Sequence, residues 1–310
     1  MDESMTRYIF DLNGYIVIRG VLSKEEVSAC NAAIDKKIHS INERLDPLLR
    51  NVSTKLSPMM SGDGNNGRKD LGGILEWGND SNVFRSILDH PKLKPYYHLL
   101  IGKGYRMDHL PFIIAQDDKS EGFSLHGGTV DIATGQYNPH ISYQCVNGSI
   151  HNTLLACSVV LTDHNHGSGG FCIVPGSHKS NFKASYEFIN GMGEYAEEFI
   201  YQPVTKAGDV ILFSEGTVHG AMAWNEPYQR RVALYRFAPA TCSYGRSYYP
   251  NWPAAMIENM TDSQKSVLEP PYNQRLDRPL LSNDSECIEI CSRNNVKKEF
   301  DKKVFGTTYF

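Results

Sequence analysis

From about Tyr105 onward the chain stops reading as helix and becomes a series of short apolar runs of β-type composition. Residues 110–115, 122–126, 154–161, 170–174, 201–204, 209–213 and 231–237 are predicted strands, rich in Val, Ile, Leu and Phe. Turn signals at 167–170, 175–176 and 206–209 separate them. Many short strands between turns are what a jelly-roll barrel requires, since its two sheets are crossed again and again by one chain. A mainly β core over 105–240 is expected, flanked by α-helices, with a strand and helical layer over 8–104 and a C-terminal extension over 241–310. All-β folds often reach this length as a unit, so a single domain of 310 residues is expected.

The N-terminal layer has its own signals. Residues 14–20 form a β-rich run closed by glycine at each end, and a helix start follows. Ser23 is placed to cap the amide three positions on while Glu26 reaches back, and Leu22 and Val27 occupy the two positions of a hydrophobic staple. Apolar residues at Val27, Cys30, Ile34, Ile38 and Ile41 then mark one helical face. Residues 61–70 are a loop by composition, either a connector or a substrate lid. Two helical pieces, 83–88 and 93–100, are split by Pro91. Beyond Pro239 the chain returns to loops and helix, with 287–304 too polar for a core helix.

Acidic residues number 35 and basic ones 31, giving a formal charge of −4 with no block of like charge. Neither nucleic acid nor an anionic membrane surface is favoured by that balance, and small molecules are the expected partners. The seven cysteines are dispersed without a CxxC pair, which argues against a disulfide framework or structural zinc and for a reducing compartment. No apolar stretch of membrane-spanning length and no signal-peptide core is present, so a cytoplasmic location is expected.

His126 and His219 lie 93 residues apart on two segments that both read as β-strands, and Arg230 follows the second by 11 positions. Facing strands of a jelly-roll can bring two distant histidines to one metal, neutral imidazole suits Fe(II), and a nearby guanidinium can fork onto a carboxylate of a co-substrate acid. Arg231 competes with Arg230 for that last role. Adjacent strand residues face opposite sides, so only one can point inward, and the spacing from the histidine favours Arg230.

Three stretches, LNGYIVIRGVLSKEEV (12–27), LTDHNHGSGGFCIVPGSHK (161–179) and KAGDVILF (206–213) with the histidine, glycine and arginines that follow it, resemble the phytanoyl-CoA dioxygenase (PhyH) family of Fe(II)/2-oxoglutarate oxygenases. The resemblance runs from about residue 8 to residue 240, in order. It implies a double-stranded β-helix of cupin-like form, iron held by His126 and His219, and 2-oxoglutarate whose distal carboxylate pairs with Arg230. It also implies O2 as co-reactant and a small organic substrate hydroxylated at an unactivated C–H bond. A barrel that binds a ligand or metal without catalysis is the alternative from another class.

Gly128 departs from the family pattern. A carboxylate two residues after the first histidine would share its strand face and supply the third ligand, and here that position has no side chain. Three arrangements would answer it. The open coordination position would take chloride, as in halogenases related to this family; Asp131 or His151 would complete the shell; or water would fill it in an ordinary hydroxylase. His151 and Asn152 stand where they would meet the near end of 2-oxoglutarate or the metal shell, or make an ordinary strand hydrogen bond. Tyr137, Tyr143 and Gln144 are candidate substrate contacts. His178, in the Pro-Gly-Ser-His-Lys turn, is expected to be structural, and His164 and His166 to be solvated.

Overall fold

The computed structural model describes residues 2–46, 50, 52, 55–132, 134–245, 252–271, 278–281, 288–291 and 295–306. The chain opens with a helix absent from the expectations above, α1 (Glu3–Asn13), capped by the Asp2 side chain and closed by Gly14 in the left-handed region. After β1 (Tyr15–Ile18) comes α2 (Lys24–Lys37), whose first turn carries the full Ser23/Glu26 capping box. Cys30 and Ile34 are buried on its inner face as the periodicity requires, but α2 ends at Lys37, and Ile38 begins a separate 3-10 turn with its side chain exposed. The strands β2 (Asn42–Glu43) and β3 (Lys69–Leu71) precede α3 (Asn82–Arg85) and α4 (Lys94–Ile101), the two helical pieces on either side of Pro91.

The barrel strands are β4 (Arg106–Gln116), β5 (Phe123–His126), β6 (Tyr143–Val146), β7 (Ser149–Asn152), β8 (Leu155–Val160) and β9 (Gly170–Ile173). Short helices α5 (Tyr186–Ile189) and α6 (Ala196–Phe199) lead to β10 (Val210–Ser214), β11 (His219–Met222) and β12 (Arg230–Ala238). Residues 201–204, expected as a strand, make only a single bridge from Tyr201 to Ile173. The C-terminal part holds α7 (Ala254–Ile257), α8 (Asp262–Val267), a hairpin of β13 (Arg278–Leu281) with β14 (Ile288–Cys291), and α9 (Asn295–Phe305). Cys287, the first residue of the segment expected to be polar, lies outside the described residues.

A seven-stranded sheet in the order β1-β10-β8-β12-β4-β3-β2 faces a three-stranded sheet in the order β5-β11-β9, and β6 pairs with β7 as a separate hairpin. All these pairings are antiparallel, so the fold is the expected jelly-roll with helices against its outer face. Period-two alternation divides the large sheet's side chains between two cores. Leu212, Cys157, Val159, Ala233, Tyr235 and Phe237 face the helical layer in one cluster. Their neighbours Ile211, Phe213, Ala156, Val160, Val232 and Leu234 face the smaller sheet in another. Because β8 and β10 are buried on both faces, they read in sequence as unbroken apolar runs rather than alternating ones. Among the described residues no helix is long and apolar enough to cross a membrane. Cys30, Cys145, Cys157, Cys172 and Cys242 are free thiols.

Candidate active site

His126 closes β5, His219 opens β11, and the two are directly opposed in the register of the small sheet. Their ring centroids stand 4.3 Å apart, and both line a cavity of about 270 Å3 between the sheets. Phe123 lies 4.3 Å from the His126 ring and Phe213 lies 4.6 Å from the His219 ring, so both imidazoles sit in apolar surroundings. Burial, with His219 close by, pushes His126 down to about 3, and burial lowers His219 as well. Both rings are therefore neutral near pH 7. The Nδ1 atoms of His126 and His219 lie 3.0 Å and 2.7 Å from the carbonyl oxygens of Ser124 and Thr217. A carbonyl can only accept, so each Nδ1 carries the proton and each Nε2 keeps its lone pair, which is the tautomer a metal needs.

A buried carboxylate missing from the sequence-based candidates stands beside this pair. Glu215, in the turn between β10 and β11, has its Oε2 3.6 Å from His219 Nε2, while its Oε1 accepts a 2.6 Å hydrogen bond from Arg236 Nε. Burial alone would raise this carboxyl, but Arg236 and the two histidines hold it down at about 2. The turn itself is fixed: Glu215 donates its N–H to Leu154 O, Thr217 donates to Ser214 O, and the Ser214 hydroxyl donates to Asn152 Oδ1 at 2.8 Å. As they stand, no three His, Cys, Asp or Glu side chains among the described residues form a ready-made metal group.

The other end of the cavity is cationic. Arg230, Val232, Leu234 and Arg236 share the inward face of β12 at period two, whereas Arg231 points outward and pairs with Asp35 Oδ1 at 2.7 Å. Arg230 is 3% exposed, donates from Nη1 to Gln116 Oε1 at 2.7 Å, and has a buried Nε with no hydrogen-bond partner. No acidic side chain among the described residues pairs with it, and burial together with nearby Arg68 pushes it down to about 9. Gly170, at φ 77°, makes the space: a Cβ there would lie 2.6 Å from Arg230 Nε. Arg68 also lines the cavity, stacked 5.1 Å over the Phe123 ring and bonded to Asp70. It comes from the loop over 61–70, so that segment contributes a charged wall rather than only a connection.

The remaining sequence candidates are elsewhere. β5 ends at His126, and Gly127 and Gly128 both take positive φ, so strand alternation does not carry Gly128 onto the histidine face. A Cβ on Gly128 would meet Val218 Cγ2 at 3.1 Å, and the residue lines a different cavity with Val174 and Phe188. Asp131 caps its own turn through Thr134, His151 and Gln144 are exposed partners in the β6–β7 hairpin, and Tyr137 is half exposed. Tyr143 donates to Asp11 Oδ1 at 2.7 Å beneath α1. Asn152 does not line the cavity; its Oδ1 accepts from the Ser214 hydroxyl at 2.8 Å. His178 is structural, its Nε2 2.9 Å from Asp11 O. His164 is a correction: it is buried rather than solvated, because it bridges to Thr205 and its ring meets Trp224 edge-on at 5.3 Å. His166 is exposed as expected.

Solved structures with this fold include HygX from Streptomyces hygroscopicus with nickel and 2-oxoglutarate bound, at 20% identity and a TM-score of 0.61 over 77% of this chain and 88% of that one. HygX with iron bound matches at 21% identity and a TM-score of 0.56, over 77% of this chain and 88% of that one. The non-heme alpha-ketoglutarate-dependent epimerase SnoN from nogalamycin biosynthesis matches at 16% identity and a TM-score of 0.53, covering 80% of this chain and 87% of its own. No curated protein matches the sequence. The family model described as phytanoyl-CoA dioxygenase (PhyH) matches residues 10–232, most of the 310-residue chain, and the protein belongs to that family.

Proposed function

We propose that the protein is an Fe(II)/2-oxoglutarate-dependent oxygenase that hydroxylates a C–H bond of a small organic molecule. One observation carries this reading: two neutral imidazoles with free Nε2 lone pairs and a buried guanidinium without a counter-ion among the described residues line one cavity. The first pair suits a divalent metal and the second a carboxylate. His126 and His219 would hold the iron. Arg230 would bind the distal carboxylate of 2-oxoglutarate, with Gln116 orienting it from behind. Gly170 is paired with Met222, three residues along β11 from His219, so the two ends are about 10 Å apart at the usual strand rise, a span suited to a five-carbon dicarboxylate.

Iron held by His126 and His219 would supply oxygen activation, the chemistry that couples decarboxylation of 2-oxoglutarate to oxidation of the substrate. The chain's own share is positional. Phe171, Phe213, Val232 and Leu234 wall the cavity with apolar surface and limit water, and Ser124 and Thr217 carbonyls fix the imidazole rings. HygX is described with hygromycin B bound and SnoN in complex with nogalamycin RO, and a functionalised natural product is the substrate class proposed here.

Succinate release with Fe(II), 2-oxoglutarate and O2 across a panel of such compounds tests the proposal. Substrate-stimulated succinate, lost in His126→Ala and in His219→Ala, is expected. Metal and 2-oxoglutarate binding without turnover on any compound would favour a non-catalytic binding barrel, and a chlorinated main product would favour a halogenase.

A further inference from the structure

We propose that Glu215 is the third protein ligand of the metal centre, delivered from the β10–β11 turn in place of the carboxylate missing at Gly128. The inference rests on the reading of His126 and His219 as the iron site. His219 turns its Nδ1 to Thr217 O at 2.7 Å, which leaves Nε2 as the ring nitrogen turned toward Glu215, and Glu215 Oε2 stands 3.6 Å from it. Both are donor atoms suited to a divalent metal, and one ion between them would bond to each.

The spacing is close to what a shared metal demands. Two donors each about 2.1 Å from one ion, at angles between octahedral and tetrahedral, stand about 3.0–3.4 Å apart. The observed 3.6 Å needs an inward shift of only a few tenths of an ångström. Glu215 is divided in the manner of a ligating carboxylate. Oε1 takes the hydrogen bond from Arg236, which fixes the plane of the group, and Oε2 is the oxygen turned to the histidine.

The glycine pair fits the same design. A Cβ on Gly127 would lie 2.7 Å from Glu215 O and 2.9 Å from Thr217 O, and Gly128 donates its N–H to Glu215 O at 3.2 Å. The two glycines let the chain after His126 lie directly against the turn that carries Glu215. The sequence that removes a carboxylate at Gly128 thereby makes room for another one. A buried ion pair serving only to hold the turn would account for Arg236 and Oε1, but not for the orientation of Oε2.

Zinc(II) affinity of the full chain, measured by chelator competition without 2-oxoglutarate, tests the assignment. Glu215→Gln preserves shape and an acceptor for Arg236 while removing the charge. Second-sphere partners already cost 10–100-fold in affinity, so loss of this ligand is expected to cost more than about 100-fold. Wild-type affinity in Glu215→Gln, with affinity lost in His219→Ala, would overturn the role of Glu215 and leave the site standing. Unchanged affinity in His219→Ala as well would overturn the site itself and this inference with it. Adding Gly128→Asp to Glu215→Gln should not restore binding, because position 128 faces Val218; restoration would also refute the proposal. Should Glu215→Gln fail to fold, a crystal structure of the zinc(II)-loaded wild-type protein decides: Oε2 at about 2.0–2.2 Å from the metal supports the assignment, and water in its place refutes it.

Discussion

Replacing Arg230 with methionine should raise the stability of the ligand-free protein while destroying its affinity for 2-oxoglutarate. The guanidinium is buried, makes one side-chain hydrogen bond and has no counter-ion among the described residues. Its fall from 12.5 to about 9 corresponds to a cost of roughly 5 kcal/mol for keeping the charge in place. Methionine has similar length and no charge, but it leaves Gln116 Oε1 without its partner, at a cost of about 1–3 kcal/mol. The net gain is about 2–4 kcal/mol. For a chain of this size that raises Tm by about 3–8 °C. Truncating one member of a buried hydrogen-bonded charge pair costs about 2–5 kcal/mol in binding, or roughly 30–4,000-fold in Kd for 2-oxoglutarate. Scanning calorimetry of the ligand-free variant and calorimetric titration with 2-oxoglutarate in the presence of Mn(II) read the two effects separately. A variant that is less stable than wild type yet binds 2-oxoglutarate normally would refute the assignment of Arg230 as the anion anchor.

Gly170→Ala should weaken 2-oxoglutarate binding at least tenfold and lower Tm, since its Cβ would fall on Arg230 Nε and the residue holds a positive φ; unchanged binding in the same titration would argue against the cradle. His178 is held down at about 4 by burial, against about 6.5 unfolded, so the unfolded chain binds more protons in that window. Stability should therefore fall as pH drops from 6.5 to 4, by up to about 3 kcal/mol from this group, and His178→Gln should flatten that part of the Tm profile. An unaltered slope would show that other groups govern it. With the true substrate, turnover in chloride buffer should give the hydroxylated compound, because Glu215 as the proposed third ligand would take the coordination position a halide needs; mass spectrometry showing a chlorinated main product would contradict this.

The jelly-roll is legible in the sequence because β8, β10 and β12 are dense in branched apolar residues and closed by turn residues, and the pairing of His126 with His219 follows from that topology. Strand alternation allows only one inward arginine and the spacing from His219 selects Arg230, while the outward Arg231 finds Asp35. The same alternation, carried six residues further, puts Arg236 on the inner face, and a half-buried arginine there calls for an acid. Glu215, at the end of an apolar strand four residues before His219, is the acid within reach. Strand spacing from His126 does not lead to it, because that spacing stops at Gly127 where φ turns positive, and Glu215 lies in the turn after β10. Arg68 is hidden for a different reason. Its loop carries no periodicity, and burial of a charged residue there depends on the Phe123 ring and Asp70, which no local pattern reveals.

Anaerobic addition of Fe(II) and then 2-oxoglutarate to the wild-type protein tests the central claim most directly, because an α-keto acid chelated to iron(II) gives a visible charge-transfer band that neither component gives alone. A band that saturates at one equivalent of iron, vanishes in His219→Ala and requires far more 2-oxoglutarate in Arg230→Lys than in Arg231→Lys is expected. No band in the wild-type protein, or one unaffected by losing His219, would contradict the assignment of this cavity as an iron and 2-oxoglutarate site.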